Sequence, residues 1–133
     1  MPYNISWLVE KRVLYTHMYG YITAEELRSQ KAVVEKFIAE SEHLLHMIND
    51  AAETTGTDMG LRDLQNMQYA NAANLGWAIY VNPNKLHRFF ASVVTQLSGK
   101  RGREYATLEE GLRFLQDMDD TLPQLTMPIK SAS

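Results

Sequence analysis

The chain contains no cysteine, which excludes disulfide frameworks, thiolate zinc sites, iron–sulfur clusters and thiol nucleophiles together. No apolar run approaches the ~20 residues that a membrane-spanning helix needs. Charge of one sign is scarce as well. Thirteen Lys and Arg against sixteen Asp and Glu leave a formal net charge of -3, so neither a nucleic-acid footprint nor a polyacidic tail is expected. Four prolines and seven glycines among 133 residues exclude collagenous and low-complexity classes. What is present is 45% apolar and 22% charged sequence, enough to fill one core without metals or cross-links. The opening MPYNISWLVEKRVLYTHMYG lacks the basic-then-apolar layout of a secretory signal. A cytoplasmic location is therefore the expectation, and the sequon Asn4-Ile5-Ser6 is read as chance.

The elements alternate along the chain. Ile5, Trp7, Val9 and then Val13, Tyr15, His17, Tyr19 recur at period two, separated by Glu10-Lys11-Arg12, which predicts an antiparallel hairpin over residues 5–9 and 13–19 that Gly20 ends. Thr23-Ala24-Glu25-Glu26 is a capping box, opening a helix with Leu27, Val34 and Ile38 on one stripe, Val33 and Phe37 beside it and Lys31 snorkelling from it. Residues 44–48 form a short, nearly continuous apolar run, as in a strand buried on both faces. Asn49 and Asp50 end it, a loop covers 51–56, and Thr57 or Asp58 caps a helix carrying Leu61, Leu64 and Met67. Residues 75–81 predict another buried strand, closed by Asn82-Pro83-Asn84. A third helix from Leu86 carries Phe90, Val93 and Leu97, with Phe89 and Val94 alongside, and stops at Ser98-Gly99. Residues 103–106 predict a last strand. Thr107-Leu108-Glu109-Glu110 is a second capping box, for a helix presenting Leu108, Leu112 and Leu115. The order β-β-α-β-α-β-α-β-α predicts an α/β fold: a mixed, mostly parallel sheet of about five strands with an antiparallel edge strand and about four helices. One domain is expected over residues 1–125, with a frayed tail over 126–133.

This order resembles the STAS domain (sulfate transporter and anti-sigma factor antagonist), in its SpoIIAA-like branch of small stand-alone proteins. The resemblance rests on residues 14–26 (LYTHMYGYITAEE), the strand ending Ile48-Asn49-Asp50, and residues 105–115 (YATLEEGLRFL). It implies a mixed sheet with several helices against it. It also implies a non-enzymatic regulatory or protein-interaction role, in which anti-sigma factor antagonists carry a phosphorylated Ser in an Asp-Ser-Ser-Gly-like motif. Here the corresponding stretch reads Thr54-Thr55-Gly56-Thr57-Asp58. Thr57 falls nearest the acceptor, Gly56 replaces the preceding Ser, and Asp58 replaces the following Gly. A likeness of such proteins to the SEC14 class implies a second role, binding of an apolar ligand.

The residues themselves offer three candidate surfaces. The first is the stretch with Asp50, Thr54, Thr55, Thr57 and Asp58, placed where a strand's carboxyl end meets a helix N-terminus, a common ligand position. Its hydroxyls suit modification, whereas Glu53 and Asp58 would repel a free anion, so a regulated loop and a plain capped loop both stay open. The second is an apolar set, Trp77, Phe89, Phe90 and Val93, with small residues Ala72, Ala73, Gly76 and Ala78 nearby, which suits a lipid-sized cavity or simply core. The third is the basic group Lys85, Arg88, Lys100, Arg101 and Arg103, fit either for dipole compensation or for an anionic membrane surface. Tyr15, His17 and Tyr19 share one strand face, with Trp7 placed beside them on the neighbouring strand; that face is either core or a partner surface. The partners expected are thus an unidentified protein, a lipid surface or a second copy through the edge strand, with no nucleic acid. No cofactor or catalytic residue is expected. His43 and His46 point to opposite strand faces, and His17 and His87 have no neighbour at ligand spacing, so no metal is expected either.

Overall fold

The computed structural model describes residues 3–42, 44–58, 74–98 and 101–128. The hairpin forms as its pattern predicts, from β1 (Tyr3–Val9) and β2 (Val13–Ile22). Arg12 N–H donates to Val9 O across the turn, and Lys11 takes a left-handed φ of 61°. Helix α1 (Ala24–Glu40) leads to β3 (Leu45–Thr57), followed by β4 (Leu75–Val81), α2 (Lys85–Ser98), β5 (Gly102–Tyr105) and α3 (Leu108–Met118). The sheet runs β1-β2-β3-β4-β5, with β1 antiparallel to β2 and every later pair parallel. Three helices thus accompany five strands among the described residues. The further helix expected over 59–70 lies outside them.

Two boundaries differ from expectation. Gly20 does not end β2; it adopts a φ of 71° at a register shift, and the strand continues to Ile22. Nor do Asn49 and Asp50 end β3, because the prolonged β2 supplies a partner: Tyr19 pairs with Glu53, Gly20 with Thr54 and Ile22 with Thr57. A polar sequence that would be a loop alone becomes a strand when its backbone donors and acceptors are met across a ladder.

Both faces of the sheet are covered. α1 lays Val34 and Ile38 on Leu14, Leu45 and Met47, with Trp7, which pairs with Leu14, on that same face. Trp7 therefore does not stand beside Tyr15, contrary to the expectation, but meets Phe37 edge-on at 5.3 Å. α3 covers the other face, placing Leu108, Leu112 and Leu115 against Tyr15, Ile48, Ile79 and Val81. Gly111 lets this helix approach β4, since a Cβ there would lie 2.9 Å from Ile79 Cγ2. The aromatic face of β2 is consequently core: Tyr15 and His17 are buried.

Both capping boxes form. Thr23 and Thr107 accept from the backbone N–H of Glu26 and Glu110 (3.2 and 3.3 Å), and each hydroxyl donates back to that glutamate's carboxylate (3.0 Å). After α3, Gln116 holds the chain, donating to Leu122 O and Pro123 O and accepting from Leu125 N–H.

Candidate functional site

At the carboxyl end of the parallel strands, β2 and β3 project beyond β4 as a two-stranded ribbon. Asp50 sits at its root, paired with His17 on one side and Val81 on the other. It is buried rather than in a surface loop, and accepts a hydrogen bond from the Tyr15 hydroxyl (2.5 Å) and another from Ala52 N–H (3.2 Å). Burial first, then that hydrogen bond and the charges of Asp50 and Glu53, push the Tyr15 phenol well above its ordinary value. Tyr15 is therefore a permanent donor, which suits structure better than proton transfer. His17 stacks between Tyr15 and Tyr19, at 6.5 and 5.4 Å between ring centroids. Neither of its ring nitrogens makes a hydrogen bond, and Nε2 lies 3.4 Å from Glu53 Oε2.

Further along the ribbon, Thr54 is half-buried and donates to Ala51 O (2.7 Å), while Thr55 and Thr57 are exposed. Asp58 Oδ1 accepts from Ala24 N–H at 2.9 Å, at the N-terminus of α1; the helix it is expected to cap lies outside the described residues. The five residues expected on one loop thus divide into a buried anchor (Asp50), strand positions (Thr54, Thr55, Thr57) and an α1 cap (Asp58).

The apolar set is split by the sheet. Trp77 lies on the α3 face, edge-on to Phe114 at 4.9 Å, with the Arg103 guanidinium 5.1 Å from its ring centre. Phe89, Phe90 and Val93 belong to α2, which packs on the opposite face: a Cβ at Gly102 would meet Thr95 Cγ2 at 2.7 Å, and Gly102 pairs with Ala78 of the α1 cluster. The four do not enclose a common cavity. The space expected beside Gly76 is filled by the His46 ring, 2.5 Å from where a Cβ would stand. Ala72 and Ala73 lie outside the described residues.

The basic group is likewise dispersed. Arg88 donates to Asn82 O (2.8 Å), and Arg103 stacks on Trp77 and Phe114. Lys85 and Arg101 are exposed at the two ends of α2, and Lys100 lies outside the described residues, as does His43. Among the described residues no group of three His, Cys, Asp or Glu could hold a metal ion. None of their helices is long and apolar enough to cross a membrane.

What emerges instead is the orientation of α2. Asn84 caps it, its Oδ1 accepting from Leu86 and His87 N–H. The side turned to the sheet is polar or small. Arg88 reaches Asn82 O, Ser92 hydrogen-bonds Glu104, and Thr95 abuts Gly102. At 100° per residue these positions fall on one face; Leu86, Phe90 and Val93 fall opposite, with Phe89 on the flank between. Leu86 is 60%, Phe89 62% and Phe90 40% exposed. Leu86, Phe89 and Phe90 therefore point away from the protein, while Val93 is half-buried. The sequence shows the stripe at i, i+3, i+4, i+7, and Leu86, which begins it, carries no signal of a site beyond that spacing.

No family model and no curated protein matches the sequence. Solved structures do match the fold. An uncharacterized DUF3478-family protein with a SpoIIAA-like fold from Shewanella loihica PV-4 is 13% identical, with a TM-score of 0.63 over 85% of this chain and 91% of that one. The anti-sigma factor antagonist SpoIIAA in its unphosphorylated form is 17% identical, with a TM-score of 0.55 over 86% of this chain and 96% of that one. The Bacillus cell fate determinant SpoIIAA in its phosphorylated form gives the same identity and TM-score over 85% of this chain and 98% of that one. The chain has a SpoIIAA-like fold.

Proposed function

We propose that this chain is a non-catalytic docking module, which acts by presenting a surface to a partner rather than by chemistry on a substrate. The observation that carries this reading is the outward stripe of α2. Large apolar side chains are commonly buried, and a contiguous exposed row of them on an ordered helix marks an interaction surface. Three polar pairs within the fold support the same reading, since they are committed to internal bonds: Tyr15 to Asp50, His46 to Asp119, and Asn82 to His87. A photo-crosslinking residue placed at Phe89 in cells of the native host tests it. Crosslinks are expected there and not at exposed Arg113 of α3; equal yield at both positions contradicts the reading.

A regulatory role gated at the threonine stretch is the finer form of this proposal. It draws support from the fold likeness to SpoIIAA, an anti-sigma factor antagonist with a phosphorylated form, and from the exposure of Thr57 at the end of β3. Intact mass of protein from its native host, before and after phosphatase, should show a phosphate lost from residues 54–57. Protein that is never modified removes the gating and leaves the docking surface.

A further inference from the structure

We infer that the partner of the α2 surface is an anionic membrane, on which the helix lies parallel to the bilayer plane with Leu86, Phe89 and Phe90 inserted between headgroups. The inference rests on the docking reading above and names its partner.

Three observations carry it. The first is shape. The stripe is the ridge of a single helix about 21 Å long, held by its polar side to the sheet through Arg88, Ser92 and Thr95. That inverted arrangement is what an interfacial helix requires, with its apolar side free and its other side anchored. The second is charge. The sequence from Leu64 to Arg103 contains no Asp or Glu, although the chain has sixteen, and it holds five of the thirteen Lys and Arg, all from Lys85 onward. Exposed Lys85 and Arg101 stand at opposite ends of the helix, where both reach the headgroup layer of a surface lying along it. α2 itself carries no Asp or Glu and is flanked by these two exposed cations, as attraction to anionic lipid requires.

The third is area. With a Phe side chain offering about 200 Å², the exposed parts of Leu86, Phe89 and Phe90 amount to roughly 300 Å². A stable protein–protein interface buries about 800 Å² on each partner, of which the stripe would supply only the centre, and symmetric pairing of two α2 helices would bring their cations together. A bilayer has no such minimum, because insertion and charge attraction add along one plane.

Flotation with lipid vesicles tests the inference on the whole protein. Binding is expected to vesicles with about 30% phosphatidylserine and at least about tenfold weaker binding to pure phosphatidylcholine, with loss at high salt. Phe89→Ser with Phe90→Ser should abolish it, and Lys85→Glu or Arg101→Glu should each weaken it by about fivefold or more. Arg113→Glu on α3 should leave it unchanged, and circular dichroism should show every variant folded. Absence of binding to anionic vesicles overturns the inference, as does equal binding of wild type and the Phe89/Phe90 variant. A concentration-dependent dimer that Phe89→Ser abolishes also overturns it, in favour of a second copy. Crosslinks from position 89 to a protein without vesicle binding would discard the membrane and keep the docking module.

Discussion

Tyr15 and Asp50 are both almost inaccessible and lie on adjacent strands, and their 2.5 Å hydrogen bond helps to satisfy a carboxylate placed in the core. Tyr15→Phe preserves the ring's packing against Ile48 and Leu112 but removes one of the bonds that satisfy that carboxylate. A loss of about 1–3 kcal/mol is expected, read as a lower urea midpoint at unchanged slope. At the other end of the strands, Asp119 gathers several partners. Trp77 N–H donates to His46 Nδ1 (3.0 Å), which leaves the proton on Nε2, and Nε2 donates to Asp119 Oδ2 (2.9 Å). Arg12 and Thr121 reach the same carboxylate. The Thr121 hydroxyl foremost, and then His46, hold Asp119 at about 2, below its ordinary 3.8. Because the folded value is the lower one, this stabilisation is complete above pH ~4 and disappears as pH falls through the folded value. Urea titrations between about pH 2 and 6 should show the wild type losing stability at the acid end. Asp119→Asn should be weaker at pH 6 and flatter toward pH 2; parallel profiles would show that Asp119 does not couple to folding. Neither pair was legible in the sequence, since 35 and 73 positions separate their members.

The elements whose limits are local were legible. The three-residue turn, both threonine caps and the Leu108, Leu112, Leu115 stripe each depend on residues within one turn of themselves. Those set by distant partners were not: β3 runs past Asn49-Asp50 only because β2 continues past Gly20. α2 is the sharpest case. Periodicity finds its stripe but carries no information about which side the sheet occupies. That side is decided by Gly102 and Ala78, whose small side chains allow Thr95 and its neighbours close to β5, and by Asn82 O, which draws Arg88 inward. Two substitutions separate the sides of this helix. Gly102→Ala should cost about 1–3 kcal/mol, because its methyl would overlap Thr95. Phe89→Ser should change stability by no more than about 0.5 kcal/mol, an unusual outcome for deleting a phenylalanine ring. Thermal melts of both decide whether the polar side of α2 is the packed one.

Across the whole molecule, the sheet divides two kinds of surface. The α3 face closes a core of Leu108, Leu112 and Leu115 against β2, β3 and β4, while the opposite face is built on α1 and α2, and α2 turns its own apolar side outward. Between exposed Lys85 and Arg101, α2 carries no Asp or Glu. Docking through this helix accounts for both features, and the exposed apolar side would be a liability in a protein that works alone. The absence of cysteine makes the orientation directly measurable, because any thiol introduced is the only one. Phe90→Cys and Ser92→Cys, two residues and so about 160° apart around α2, can be reacted with a soluble thiol reagent in the native protein. The account predicts that Cys at 90 reacts close to the rate of an unfolded control and Cys at 92 at least about tenfold more slowly. Protection at 90 with free reaction at 92 would contradict it, placing the phenylalanines in the core and removing the docking surface.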